Sequence, residues 1–110
     1  MLRDPKTLTA EASVGEAREL LANPKVQMVI VADGRAFKGA VTHIPADASA
    51  RDRAANYVDP DVEFISPQAS ADEAFERAAA NPYRRVIVLD EADNLLGLLC
   101  LNQSRTHFCS

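Results

Sequence analysis

The apolar positions along this chain change period several times, and the changes occur twice. From Val14 they fall at helical spacing, with Val14, Ala17, Leu20 and Leu21 on one stripe. From Ala71 they do so again, with Ala71, Ala74, Phe75 and Ala78. The same start signal precedes each stripe. Ser13-Val14-Gly15-Glu16-Ala17 and Ser70-Ala71-Asp72-Glu73-Ala74 both read S-x-x-E-A, at an offset of 57 residues (13 to 70). A serine hydroxyl caps the backbone N–H three residues on, and the glutamate reaches back to the N–H of the cap residue. Two helices are therefore predicted to begin at equivalent points. Both run into Asn-Pro, at Asn23-Pro24 and Asn81-Pro82, where proline cannot continue the hydrogen-bond ladder.

Next come Val29-Ile30-Val31 and Val86-Ile87-Val88, β-branched throughout and short enough to be buried strands. Asp33 and Asp90 close them, in positions that suit turn chemistry. A turn follows, Asp33-Gly34 in one copy and Glu91-Ala92-Asp93-Asn94 in the other. A second strand containing Gly39 or Gly97 then completes a hairpin. Upstream of each cap lies a short extended piece, Thr7-Leu8-Thr9 or Phe64-Ile65-Ser66. The pattern predicts an α/β chain built of two strand-helix-strand-strand repeats packed as one compact module. Ala46 to Asn56 is rich in alanine, with Asp47 or Ser49 able to cap it, and predicts a connecting helix. The second copy has only Asn102 to Ser110 in the corresponding place, so its last helix is expected to be short, frayed or lost. The first repeat with its connecting helix is assigned to residues 1–56, the second to 57–110.

Composition narrows the function classes. A chain of 110 residues has room for one core, and 47% hydrophobic with 25% charged residues is ordinary for a globular protein. The longest apolar run, Leu95 to Leu101, falls far short of the roughly 20 residues that span a bilayer. Met1 to Lys6 carries charges and a proline where an export signal would be apolar, so a cytoplasmic location without membrane insertion is expected. A net charge of −4 supplies no basic field, which argues against nucleic acid as a partner. Cys100 and Cys109 are read as free thiols, Cys100 as a buried and inert one. With His43 and His107 they match no compact zinc spacing. No phosphate-binding glycine loop, nucleophile elbow or H-E-x-x-H is present, and no nucleophile stands with a base, an orienting group and an oxyanion donor. The chain is expected not to be an enzyme.

The elements Ser13 to Ala17, Ile30 to Asp33 and Gly39 to Thr42, then Ser70 to Ala74, Ile87 to Asp90 and Gly97 to Cys100, resemble the CBS domain in its usual tandem pair. The resemblance covers nearly the whole chain. It implies two pseudo-symmetric CBS-type β-α-β-β repeats, commonly assembled as a homodimer. It also implies clefts between repeats that hold adenosine-containing ligands such as AMP, ADP, ATP or S-adenosylmethionine, with no cofactor required. In the family pattern the strand after the glycine ends in a serine or threonine that meets phosphate. Three residues later an aspartate holds the ribose hydroxyls. Thr42 matches the first position, whereas Pro45 stands at the second and Asp47 is the nearest acid; Cys100 and Gln103 replace both in the other copy.

Thr9 and Ser66 end the first strands, where the family places groups against phosphate, and Arg84 or Arg85 could pair with it. The ligand set implied is Thr9, Thr42, Asp47, Ser66, Arg84 and Arg85. The expected function is a regulatory module that senses an adenosine-type ligand. The alternative, favoured by the departures at Pro45, Cys100 and Gln103, is a ligand-free dimerisation module or one that docks an unknown protein partner.

Overall fold

The computed structural model describes residues 7–108, which fall into two compact units divided after Asp61. The first contains β1 (Thr7–Leu8), α1 (Val14–Leu21), β2 (Val29–Asp33), β3 (Ala36–Val41) and a 3-10 helix at Ala54–Tyr57. The second contains β4 (Phe64–Ile65), α2 (Ala71–Ala80), β5 (Arg85–Leu89) and β6 (Leu95–Cys100). Each unit carries a three-stranded sheet in the order β1-β2-β3 or β4-β5-β6. The central strand runs parallel to the first and antiparallel to the third. A parallel pair needs a crossover connection, and in each unit the capped helix supplies it.

The serine caps form as the sequence predicts, though not equally. Ser13 Oγ accepts from the Glu16 N–H at 3.2 Å and Glu16 Oε2 accepts from the Ser13 N–H at 3.1 Å, closing the reciprocal box. Ser70 Oγ accepts from the Glu73 N–H at 3.1 Å, but the Glu73 carboxylate turns outward to Arg77 at 3.2 Å. The second cap is therefore half of a box. α2 ends at Asn81, whose buried side chain donates to Arg77 O and Arg85 O, both at 2.9 Å, and accepts from the Tyr83 N–H at 3.0 Å. This one amide satisfies a helix-end carbonyl and ties it to the start of β5.

In the first unit Ala17, Val31, Val41 and Ala54 form a buried cluster. In the second, Ile65, Ala74, Ala78, Val86, Val88 and Leu101 do so. Ala71, expected on the apolar stripe of α2, is exposed.

Two further expectations are corrected. The connecting helix over Ala46 to Asn56 is instead a chain of turns ending in the 3-10 helix at Ala54–Tyr57. Ser49 is the reason on the local side: its hydroxyl accepts from the Arg51 N–H and its carbonyl from the Asp52 N–H, closing a turn where a helix would have to propagate. On the tertiary side, Ala50 O and Asp52 O accept from the Gly15 and Val14 N–H groups at 3.1 and 2.8 Å. Those carbonyls serve the open end of α1 rather than a helix of their own. Cys100 is disulfide-bonded, which overturns the free-thiol reading; the other cysteine of the sequence, Cys109, lies outside the described residues. Beyond β6 the chain turns back so that Leu101 bridges Phe108, and among the described residues no helix follows.

Candidate functional site

Thr42 directly follows β3, and its hydroxyl donates to Asp59 Oδ2 at 2.7 Å. Asp59 is itself fixed beside that strand, its N–H donating to Ala40 O at 2.7 Å and its Oδ1 accepting from the Asp61 N–H at 2.8 Å. The carboxylate that meets Thr42 thus comes from 17 residues away, not from Asp47. Asp47 is exposed in the turn after Pro45. The sequence does carry a signal for Asp59: Asp59-Pro60-Asp61 is an aspartate whose side chain can accept from the N–H two residues on.

Thr9 and Ser66 occupy matching turns, their carbonyls accepting from the Ala12 and Ala69 N–H groups, both at 3.1 Å. Both residues are exposed, and the Ser66 hydroxyl additionally bonds Gln68. Arg84 adopts a left-handed backbone (φ 56) and its guanidinium donates to Leu101 O at 3.3 Å. Arg85 is 8% exposed, with Nη1 donating to Tyr83 O at 3.1 Å and Arg84 O at 3.3 Å. Burial lowers the pKa of its guanidinium, and the neighbouring charge of Arg84 adds to the effect. Both arginines hold backbone carbonyls.

Asp90 does the turn work expected of it, accepting from the Ala92 and Asn94 N–H groups at 2.9 Å. Asp33 instead reaches Ala10, whose N–H it accepts at 3.1 Å across 23 residues. Among the described residues no three His, Cys, Asp or Glu side chains gather as a metal site, and no helix is long and apolar enough to cross a membrane.

The second unit holds a groove of about 270 Å³ between the loop after β4, the first turn of α2 and the sheet. Its floor is apolar, formed by Ile65, Ala74, Val88, Leu96 and Leu99, and the Ser66 and Ser70 residues line it as well. Phe108 also lines it, 37% exposed, with its ring edge-on to Phe75 at 5.7 Å between centroids.

The family model of the CBS domain matches residues 1–44 and 54–102, one segment in each repeat. The chain belongs to the CBS domain family. Solved structures of CBS pairs share its fold. The cystathionine beta-synthase pair domain of a Shewanella oneidensis MR-1 protein is similar over 94% of this chain at 15% identity, with a TM-score of 0.77. The CBS-pair protein CBSX2 of Arabidopsis thaliana matches 88% of this chain and 80% of its own at 18% identity, TM-score 0.71. A signal-transduction protein with CBS domains from Burkholderia ambifaria MC40-6 reaches 26% identity over 87% of this chain and 76% of its own, TM-score 0.63. The chain spans 63% of the length of the Shewanella structure. A search of curated protein sequences gives no match. CBS pairs are in general regulatory, ligand-binding modules rather than catalysts, commonly dimeric, and often take adenosine ligands.

Proposed function

We propose that this CBS pair is a regulatory module that senses an adenosine-containing ligand of the AMP, ADP, ATP or S-adenosylmethionine type. The proposed ligand groups are Thr9, Thr42 and Asp47 on the first repeat and Ser66, Arg84 and Arg85 on the second, with Asp59 added to them. The observation that carries the reading is the Thr42–Asp59 pair at 2.7 Å. An ionised carboxylate accepts from two adjacent ribose hydroxyls, and a threonine hydroxyl can turn its proton to a phosphate oxygen. Asp59 thereby offers the chemistry that Pro45 removes from its usual place. The location proposed with this reading is the cytoplasm. Homodimerisation is part of the same proposal.

The test is thermal unfolding with AMP, ADP, ATP and S-adenosylmethionine at millimolar concentration. A ligand present at about 100 times its Kd stabilises the native state by about 2.7 kcal/mol. The expected result is an upward shift with one of them that Thr42→Ala and Asp59→Asn each reduce. A second reading, a ligand-free module for dimerisation or partner docking, is favoured by Arg85, whose guanidinium is buried on carbonyls. No shift with any compound would reject sensing and leave that reading.

A further inference from the structure

The chain that leaves β6 forms a strap on α2. Leu101 is fully buried and bridges Phe108 in antiparallel fashion, and the Asn102 N–H donates to His107 O at 3.0 Å. Asn102 Oδ1 accepts from the Thr106 and His107 N–H groups at 2.9 and 3.3 Å, so one amide holds the reversal together. Arg105, in a left-handed backbone (φ 57), donates from Nε to Ala79 O at 3.2 Å, in the last turn of α2. Phe108 lies edge-on to Phe75 and walls the groove whose floor includes Leu96 and Leu99.

Cys100 stands at the root of this strap, 7% exposed and disulfide-bonded. The bridge sets the register. With Leu101 opposite Phe108 and Asn102 bonded to His107, the next pair outward is position 100 opposite position 109, where the sequence has its other cysteine. A hydrogen-bonded antiparallel pair of that kind has Cα atoms about 5.5 Å apart, inside the roughly 4.4–6.8 Å that a disulfide spans. The burial of Cys100 disfavours a bond to a second copy of the chain.

We propose that Cys100 and Cys109 form a redox clasp that holds Phe108 against the second repeat, and that reduction by a dithiol releases the strap and uncovers Phe75 and the groove. The thiolate of the dithiol attacks the Cys109 sulfur, because Cys100 is buried. The S–S bond breaks and two electrons pass from the dithiol to the clasp. The dithiol ends as a disulfide and the two cysteines as thiols. Without the clasp the strap is tied to α2 by one exposed hydrogen bond and one ring pair, with Phe108 itself 37% exposed. Contacts of that kind barely offset the entropy of ordering the segment that makes them. The first repeat has no cysteine, so its cover at Ala54 does not respond.

The test takes the full chain equilibrated with oxidised glutathione, maps its linkage by mass spectrometry without reductant, and compares hydrogen exchange before and after dithiothreitol. The expected result is a link between Cys100 and Cys109 of one chain. On reduction the Asn102 and Thr106 amides should exchange at least tenfold faster, and an apolar dye should fluoresce severalfold more, with the Ala54 and Ile87 amides unchanged. Cys109→Ser, a change outside β6, should show the reduced behaviour without reductant. Phe108→Ala should raise dye fluorescence in the oxidised chain and remove most of the further rise on reduction. The proposal is overturned by two free thiols in the oxidised preparation, by a link between two chains, or by exchange and dye fluorescence that reduction leaves unchanged.

Discussion

β1-β2-β3 and β4-β5-β6 are laid out strand for strand alike. Leu8 lies opposite Val31 and Ile65 opposite Val88, and a bulge follows Val31 and Val88. The helices over those sheets begin at the same cap. What lies over the helix side differs: Ala54 and its neighbours seal the first repeat, and a groove opens in the second. Sheet and helix in a unit of this size are set by local signals repeated in the sequence. Closure of the apolar face depends on a separate segment, and only one repeat among the described residues has it.

The largest expected effect sets the sealed face against the open one. Ala54→Glu forces a carboxylate into a fully buried site with no partner and should cost about 4 kcal/mol. Ala71→Glu, at an exposed helix position, should change stability by about 0.5 kcal/mol or less. Urea unfolding midpoints of the two variants decide the matter. Equal losses would mean that the second repeat is as closed as the first.

Gly39→Ala comes next. Gly39 has φ 151, and a Cβ there would lie 2.5 Å from Val58 Cγ1. Backbone strain and overpacking together should cost about 3 kcal/mol in the same unfolding measurement. A loss below about 1 kcal/mol would show that Val58 moves aside freely.

The repeat and the order of its elements were legible because each rests on a local signal: a cap, an Asn-Pro stop, a β-branched run. The segment over Ala46 to Asn56 was not. Its alanines favour a helix, but its carbonyls are drawn to the Val14 and Gly15 N–H groups, a tertiary demand that no propensity records. Thr42 was legible as a candidate hydroxyl and Asp59 as its partner was not, since 17 residues separate them where the family spacing puts the acid three residues on. Arg84 and Arg85 read as charges open to phosphate. Position alone could not reveal that their guanidiniums are held by the carbonyls of Leu101, Tyr83 and Arg84.

The two caps sharpen the comparison further. Ser13→Ala removes a reciprocal box and should cost about 1.5 kcal/mol, whereas Ser70→Ala removes a single bond and should cost about 0.7 kcal/mol. Equal costs in matched denaturation curves would show that the Glu16 arm of the box contributes nothing.

The smallest effect belongs to the seal itself. The Tyr57 hydroxyl, at the end of the 3-10 helix, donates to Asp52 Oδ2 at 3.0 Å. That hydrogen bond raises the phenol pKa above 10.0; burial and the charges of Asp52 and Asp47 act in the same direction, and Arg18 opposes them. The folded chain therefore holds the phenolic proton more tightly than the unfolded chain. The resulting stabilisation is complete below pH 10.0 and disappears as the pH rises through the higher folded value. In a Tyr83→Phe background Tyr57 is the only tyrosine left, so absorbance at the tyrosinate band reports it alone. Its titration should lie at higher pH in the folded chain than in urea, and Asp52→Asn should remove most of the gap. Coincident curves would mean that the Tyr57–Asp52 bond does not hold the segment down. The cover over the first repeat would then rest on the buried Ala54 and the carbonyls of Ala50 and Asp52.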